Sequence, residues 1–144
     1  MRDVMKHPQY VLVALITLGE AAAAPAADIK VIANSNVGAT SVSSDELKGV
    51  FLATKWSLSD GSHVEPVLQK SGAVHEEFLK DYLGKTGSAL EIYYRSLVFT
   101  GKGSMPKMFS SDAEVVAYVE KTKGAIGYVA AGSATRSAKV LEVK

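Results

Sequence analysis

The chain contains no cysteine. That absence removes disulfides, thiolate zinc sites and thiol nucleophiles together. Charge of one sign is missing too: 16 Lys and Arg stand against 15 Asp and Glu, a formal net charge of +1. A chain so balanced has no one-signed field with which to capture a polyanion, which argues against nucleic acid as a partner. Histidine is scarce, and His7, His63 and His75 show no metal-ligand spacing. No metal site and no cofactor are expected. There is no G-x-S-x-G elbow and no G-x-x-x-x-G-K-[ST] loop. Past the N-terminal segment no apolar run approaches the roughly 18 residues a membrane span needs, so the folded part is expected to be soluble.

What is present begins with an export signature. Arg2 and Lys6 form a basic region, and Tyr10 to Leu18 is apolar but too short to cross a bilayer. The small-residue stretch AAAAPAAD that follows Glu20 offers cleavage after Ala24, Ala26 or Ala27. Residues 1–27 therefore read as a signal peptide and residues 28–144 as one exported domain, periplasmic or otherwise secreted.

Along that domain, strand and helix patterns alternate. Ile29 to Ala33 is a β-branched alternating run, and a polar loop, Asn34 to Thr40, follows it. Ser43 with Glu46 three residues later forms a capping box opening a helix that faces Leu47, Val50 and Phe51 inward. His63 to Leu68 reads as a second strand, with Pro66 marking an edge or a bulge. Ser71-Gly72 opens a helix with Val74, Phe78 and Tyr82 on its apolar face, closed by Gly84. Ser88 with Glu91 and Ser111 with Glu114 mark two further helix starts. The glycine-rich loop Thr100 to Pro106 separates those two helices. Ala125 to Ala130 and Lys139 to Val143 read as closing strands. The order predicts an α/β fold, a three-layer sandwich around a small mixed sheet.

The strongest chemical candidate is the strand-to-helix turn Lys70-Ser71-Gly72-Ala73. A helix start offers unpaired amides and partial positive charge, and the crevice beyond strand carboxyl ends is where α/β sheets hold ligands. Ser71 can donate its hydroxyl, Gly72 permits close backbone approach, and Lys70 adds charge. The same residues also suit a plain helix cap. Lys102, between Gly101 and Gly103, is a second candidate, as either an anion nest or a surface turn. His75 lies one helical turn after Ser71, but no acid orients it, so no enzyme is expected.

Several segments taken together resemble the second lobe of phosphate ABC transporter substrate-binding proteins, of the type II periplasmic binding fold. Glu46 to Leu52 followed by Lys55-Trp56 is similar to that family's "L-x-x-I-F-x-G-K…W" helix and turn. Val64 to Leu83 is similar to its strand, S-G-T turn and helix, and Lys123 to Val129 is similar to its "P-G-A-I-G-Y-V" strand. The resemblance implies a single-lobe domain that binds phosphate or a similar oxyanion at Ser71, Gly72 and Ala73, helped by Lys70 and Lys102. It implies as partners a membrane transporter or sensor component. A lone lobe leaves the face of the missing one open, so a homodimer or a docking role in the cell envelope is the alternative. Two departures stand out: the family's arginine ahead of S-G-T is absent, with Lys70 as a point-charge substitute, and its threonine is Ala73. These departures imply an anion site weaker than the family's, or none.

Overall fold

A computed structural model describes residues 28–144. The expected signal peptide, residues 1–27, lies outside the described residues. Six strands, β1 (Ile29–Ala33), β2 (Ser41–Val42), β3 (Glu65–Gln69), β4 (Lys107–Phe109), β5 (Ala125–Ala130) and β6 (Lys139–Val143), form one sheet in the order β2-β6-β1-β5-β3-β4. β1 runs antiparallel to both neighbours, pairing Val31 with Tyr128 of β5 and with Leu141 of β6. β3 runs parallel to β5 and β4, and β2 parallel to β6, so the sheet is mixed.

Four helices cover it: α1 (Ser44–Phe51), α2 (Ala73–Phe78), α3 (Gly87–Phe99) and α4 (Asp112–Lys121). The two-residue period of the strands sorts their side chains between two cores. Val31, Ala33, Leu68, Ile126 and Tyr128 face Leu47, Phe51, Phe78, Leu90 and Tyr94 of the first three helices. Ile32, Val67, Ala125 and Val129 face Val115, Val116 and Val119 of α4. The result is the expected three-layer α/β sandwich. Gly127 lets α4 lie close on β5, since a Cβ there would come within 3.0 Å of Val115 Cγ1 and Val67 Cγ2.

The helix starts follow local chemistry with one correction. Ser43 Oγ accepts from Glu46 N at 3.1 Å, and Ser43 N donates to Glu46 Oε2 at 3.0 Å, the full capping box. Hydrogen bonds from the Ser59 hydroxyl and the Ser43 amide hold the Glu46 carboxyl at about 2. Ser111 Oγ caps α4 through Glu114 N, while Glu114 accepts from Ser110 N instead of from its cap. The Ser88–Glu91 box does not form. Thr86 caps α3, its Oγ1 accepting from Ala89 N at 3.2 Å, so Ser88 already lies inside the helix and Glu91 pairs with Arg95.

α2 departs from ideal geometry as well. It widens into a π-helical turn over Leu79–Leu83 and ends at Gly84 with φ of 61°. Pro66 sits in no bulge, but one side of it is a local sheet edge, as the proline suggested. Glu65 N donates toward β5, to Gly124 O, so the proline nitrogen faces the other side, where β4 pairs only from Val67 onward. Its missing N–H therefore costs the sheet no hydrogen bond.

Candidate functional site

β3 ends at Gln69, and the next residue, Lys70, donates its amide to Phe109 O of β4 at 2.9 Å. Ser71 and Gly72 then turn the chain into α2. The N-cap is Gly72, at φ of 106°, a backbone region open to glycine, and no side chain caps the helix. The simple alternative, Ser71 serving as the cap, is thereby set aside. Lys70, Ser71, Gly72 and Ala73 are all exposed.

This turn opens on a cavity of about 490 Å³ bounded by Gln69, Lys70, Ser71, His75 and Glu76 on one side and by the start of α3 on the other. The α3 wall comprises Thr86, Gly87, Ser88, Leu90 and Glu91, and Met105 and Met108 close the space. Of the residues expected from sequence, Lys70 and Ser71 line the cavity. Gly72 and Ala73 stand beside it in the same turn. Lys102 does not line it: its amide is tied to Leu97 O at 2.9 Å in the loop after α3. Met105 also borders a smaller groove of about 280 Å³ lined by Phe51, Trp56, Tyr94 and Lys107.

A buried polar residue of the cavity, His75, is one that sequence reasoning passed over for want of an orienting group. His75 is only 7 % exposed, and its Nδ1 lies 2.5 Å from Tyr128 Oη. Gln69 N donates to that same oxygen at 3.0 Å. One proton assignment satisfies all three groups: Gln69 N–H donates to Tyr128, whose hydroxyl donates to Nδ1, leaving the imidazole proton on Nε2. Burial supports it, pushing His75 below its ordinary value of 6.5, partly offset by Glu76, and pushing the Tyr128 phenol well above 10. A second polar network braces the strand end. Gln69 Nε2 donates to Asp112 Oδ1 at 2.6 Å and to Tyr128 O at 3.1 Å. Asp112 Oδ2 accepts from Ala130 N and Ser133 Oγ.

The buried imidazole makes stability depend on pH in a defined direction. A base whose folded pKa is depressed takes up its proton first in the unfolded chain, so acid favours unfolding below about 6.5. The charged or titratable neighbours are Glu76 on the same helix, Lys70, Glu91 across the cavity and Tyr128. The urea midpoint is expected to fall between pH 7.5 and pH 5.5, and His75→Phe should remove most of that fall. Equal falls in both proteins would show that His75 is not the titrating group.

No protein-family model and no curated protein matches the chain. Solved structures do share its fold. A phosphate ABC transporter substrate-binding protein with bound phosphate from Clostridium perfringens superposes with a TM-score of 0.62 at 14 % identity, covering 81 % of this chain and 44 % of that one. PstS from Borrelia burgdorferi gives 0.58 at 14 %, covering 81 % and 47 %. An ABC-type phosphate transport receptor from Vibrio cholerae gives 0.53 at 12 %, covering 81 % and 46 %. This chain thus has the fold of one lobe of a phosphate-type substrate-binding protein and spans less than half the length of each neighbour. Among the described residues no helix is long and apolar enough to cross a membrane, and no group of His, Asp and Glu could hold a metal ion.

Proposed function

We propose that this protein is an exported binding module for phosphate or a similar oxyanion, held at the turn from β3 into α2. The observation that carries the reading is the uncapped start of α2. Gly72, at positive φ, leaves the first amides of the helix without a side-chain partner, beside Lys70 and Ser71 and at the mouth of the cavity. The shared fold supports it, since one structural neighbour was solved with phosphate bound. The role is binding rather than catalysis, in line with neighbours described as transport proteins. Export through residues 1–27 and delivery to a membrane transporter or sensor component belong to the same proposal. Lys102, outside the lining of this cavity, is left out of the proposed seat.

The test is calorimetric titration of the protein with phosphate at low salt, with sulfate as the control anion. Ser71→Asp places a carboxylate where the anion would sit and is expected to abolish the saturable heat while leaving the circular dichroism spectrum intact. Ser71 is exposed and caps nothing, so the fold has no reason to suffer. An unchanged affinity in that variant would refute the assignment.

A further inference from the structure

We propose that the cavity holds its oxyanion at a second seat, built from His75 Nε2–H and the first amides of α3, Gly87 and Ser88. This inference rests on the oxyanion reading above and adds ligand residues outside the β3–α2 turn.

Three observations converge on it. The first is a polar side chain, more than nine-tenths buried, committed on one side only. His75 Nδ1 is taken by Tyr128, and among the described residues Nε2 has no hydrogen-bond partner and faces the cavity. The second is where Nε2 sits: a Cβ built on Gly87 would lie 4.0 Å from it, so the imidazole edge looks at the opening residue of α3. The third is the amide inventory there. Thr86 Oγ1 takes the amide of Ala89 and Thr86 O takes that of Leu90, which leaves Gly87 and Ser88 as the donors of this 13-residue helix's start without a partner among the described residues.

The absent side chain at Gly87 keeps the space in front of both groups open. Lys70 and Ser71 stand across the same cavity, so an anion seated at α3 lies within a ring of donors drawn from two helix starts. Two carboxylates also line the cavity, Glu76 and Glu91. Glu91 is paired with Arg95, and Lys70 lines the same cavity as Glu76. The ligand class is a compact oxyanion with several acceptor oxygens, because the seat is all N–H donors and supplies no aromatic platform for a base or a sugar.

The experiment is a phosphate titration of the nitrogen-15-labelled protein, read at the imidazole nitrogens and at the backbone amides. His75 Nε2, Gly87 and Ser88 are expected to shift saturably and with one common Kd. Gly87→Asp should weaken phosphate binding at least tenfold. Its carboxylate occupies the seat, yet an acidic residue at a helix start does not harm the fold. His75→Phe, which fills the same space without the donor, should weaken binding by a similar factor. Shifts confined to Lys70–Ala73, with both variants binding as the parent does, would overturn this second seat and leave the proposed function standing. The absence of any saturable shift in the parent protein would overturn both.

Discussion

Phe78→Ala is expected to lower the free energy of unfolding by about 3–5 kcal/mol, the range for deleting a fully buried aromatic ring. Phe78 is 0 % exposed and stacks on Tyr128 with ring centroids 3.8 Å apart and planes 7° from parallel. It also meets Phe51 in an edge-type contact at 4.8 Å and the ring of Tyr82 at 5.4 Å. The residue also stands where α2 gives way to the π-helical turn. The damage should reach the site. Tyr128, freed on one face, would no longer hold His75 and the amide of Gln69 in place, and the aromatic circular dichroism should weaken with stability. Chemical denaturation measures the effect. A loss below about 1 kcal/mol would mean that this aromatic cluster is not the centre of the core.

Asp112→Ala is the second large effect, about 2–4 kcal/mol, because one carboxylate serves three donors. Gln69 Nε2 at 2.6 Å, Ser133 Oγ at 2.6 Å and Ala130 N at 3.1 Å all bond to it. Removal orphans the Ala130 amide and the Ser133 hydroxyl and leaves Gln69 with only Tyr128 O. It also deletes a negative charge from the first turn of α4, where the helix dipole favours one. The effect should not stop at stability. Gln69 is the last residue of β3, and Lys70 and Ser71 follow it directly, so phosphate affinity is expected to weaken along with the urea midpoint. Asp112→Asn should recover part of the loss, since an amide oxygen can still accept one or two of these bonds. A variant as stable as the parent would show that ordered water replaces the carboxylate.

The two predictions fall on residues whose roles differed in visibility. Phe78 was legible from sequence as part of a helical apolar stripe with Val74 and Tyr82. Asp112 was not, because its partners lie 43, 18 and 21 residues away and no local pattern links them. The same distinction runs through the fold. Ile29–Ala33, Ala125–Ala130 and Lys139–Val143 were readable because alternation and β-branching act over five or six residues. β2 and β4 span two and three residues, too short for any period to register. Thr86 displaced Ser88 as a cap because the reversal at Gly84 brings Thr86 into extended backbone two residues sooner, and local motif matching does not see that reversal.

The candidate site divides likewise. Lys70 and Ser71 were readable as a strand-to-helix turn. His75 was visible as a residue but not as part of a site, for its orienting hydroxyl belongs to Tyr128, 53 positions on. The start of α3 joined the cavity only through the packing of two helices. Lys102 looked like an anion nest on local grounds, yet the loop that carries it is bonded back to α3.

The place of β1 in the sheet has a kinetic consequence. The first described strand is clasped between β5 and β6, with Ile29 opposite Ala130 and Val31 opposite Leu141. Roughly a hundred residues must be synthesised before β1 has either neighbour. The centre of the sheet is therefore assembled last, from contacts of long sequence separation, and folding should be slow compared with a helical domain of equal size. A nascent chain of this topology cannot complete its core until its final strand is available. It stays open, and dependent on whatever shields its apolar strands, until β6 has been made.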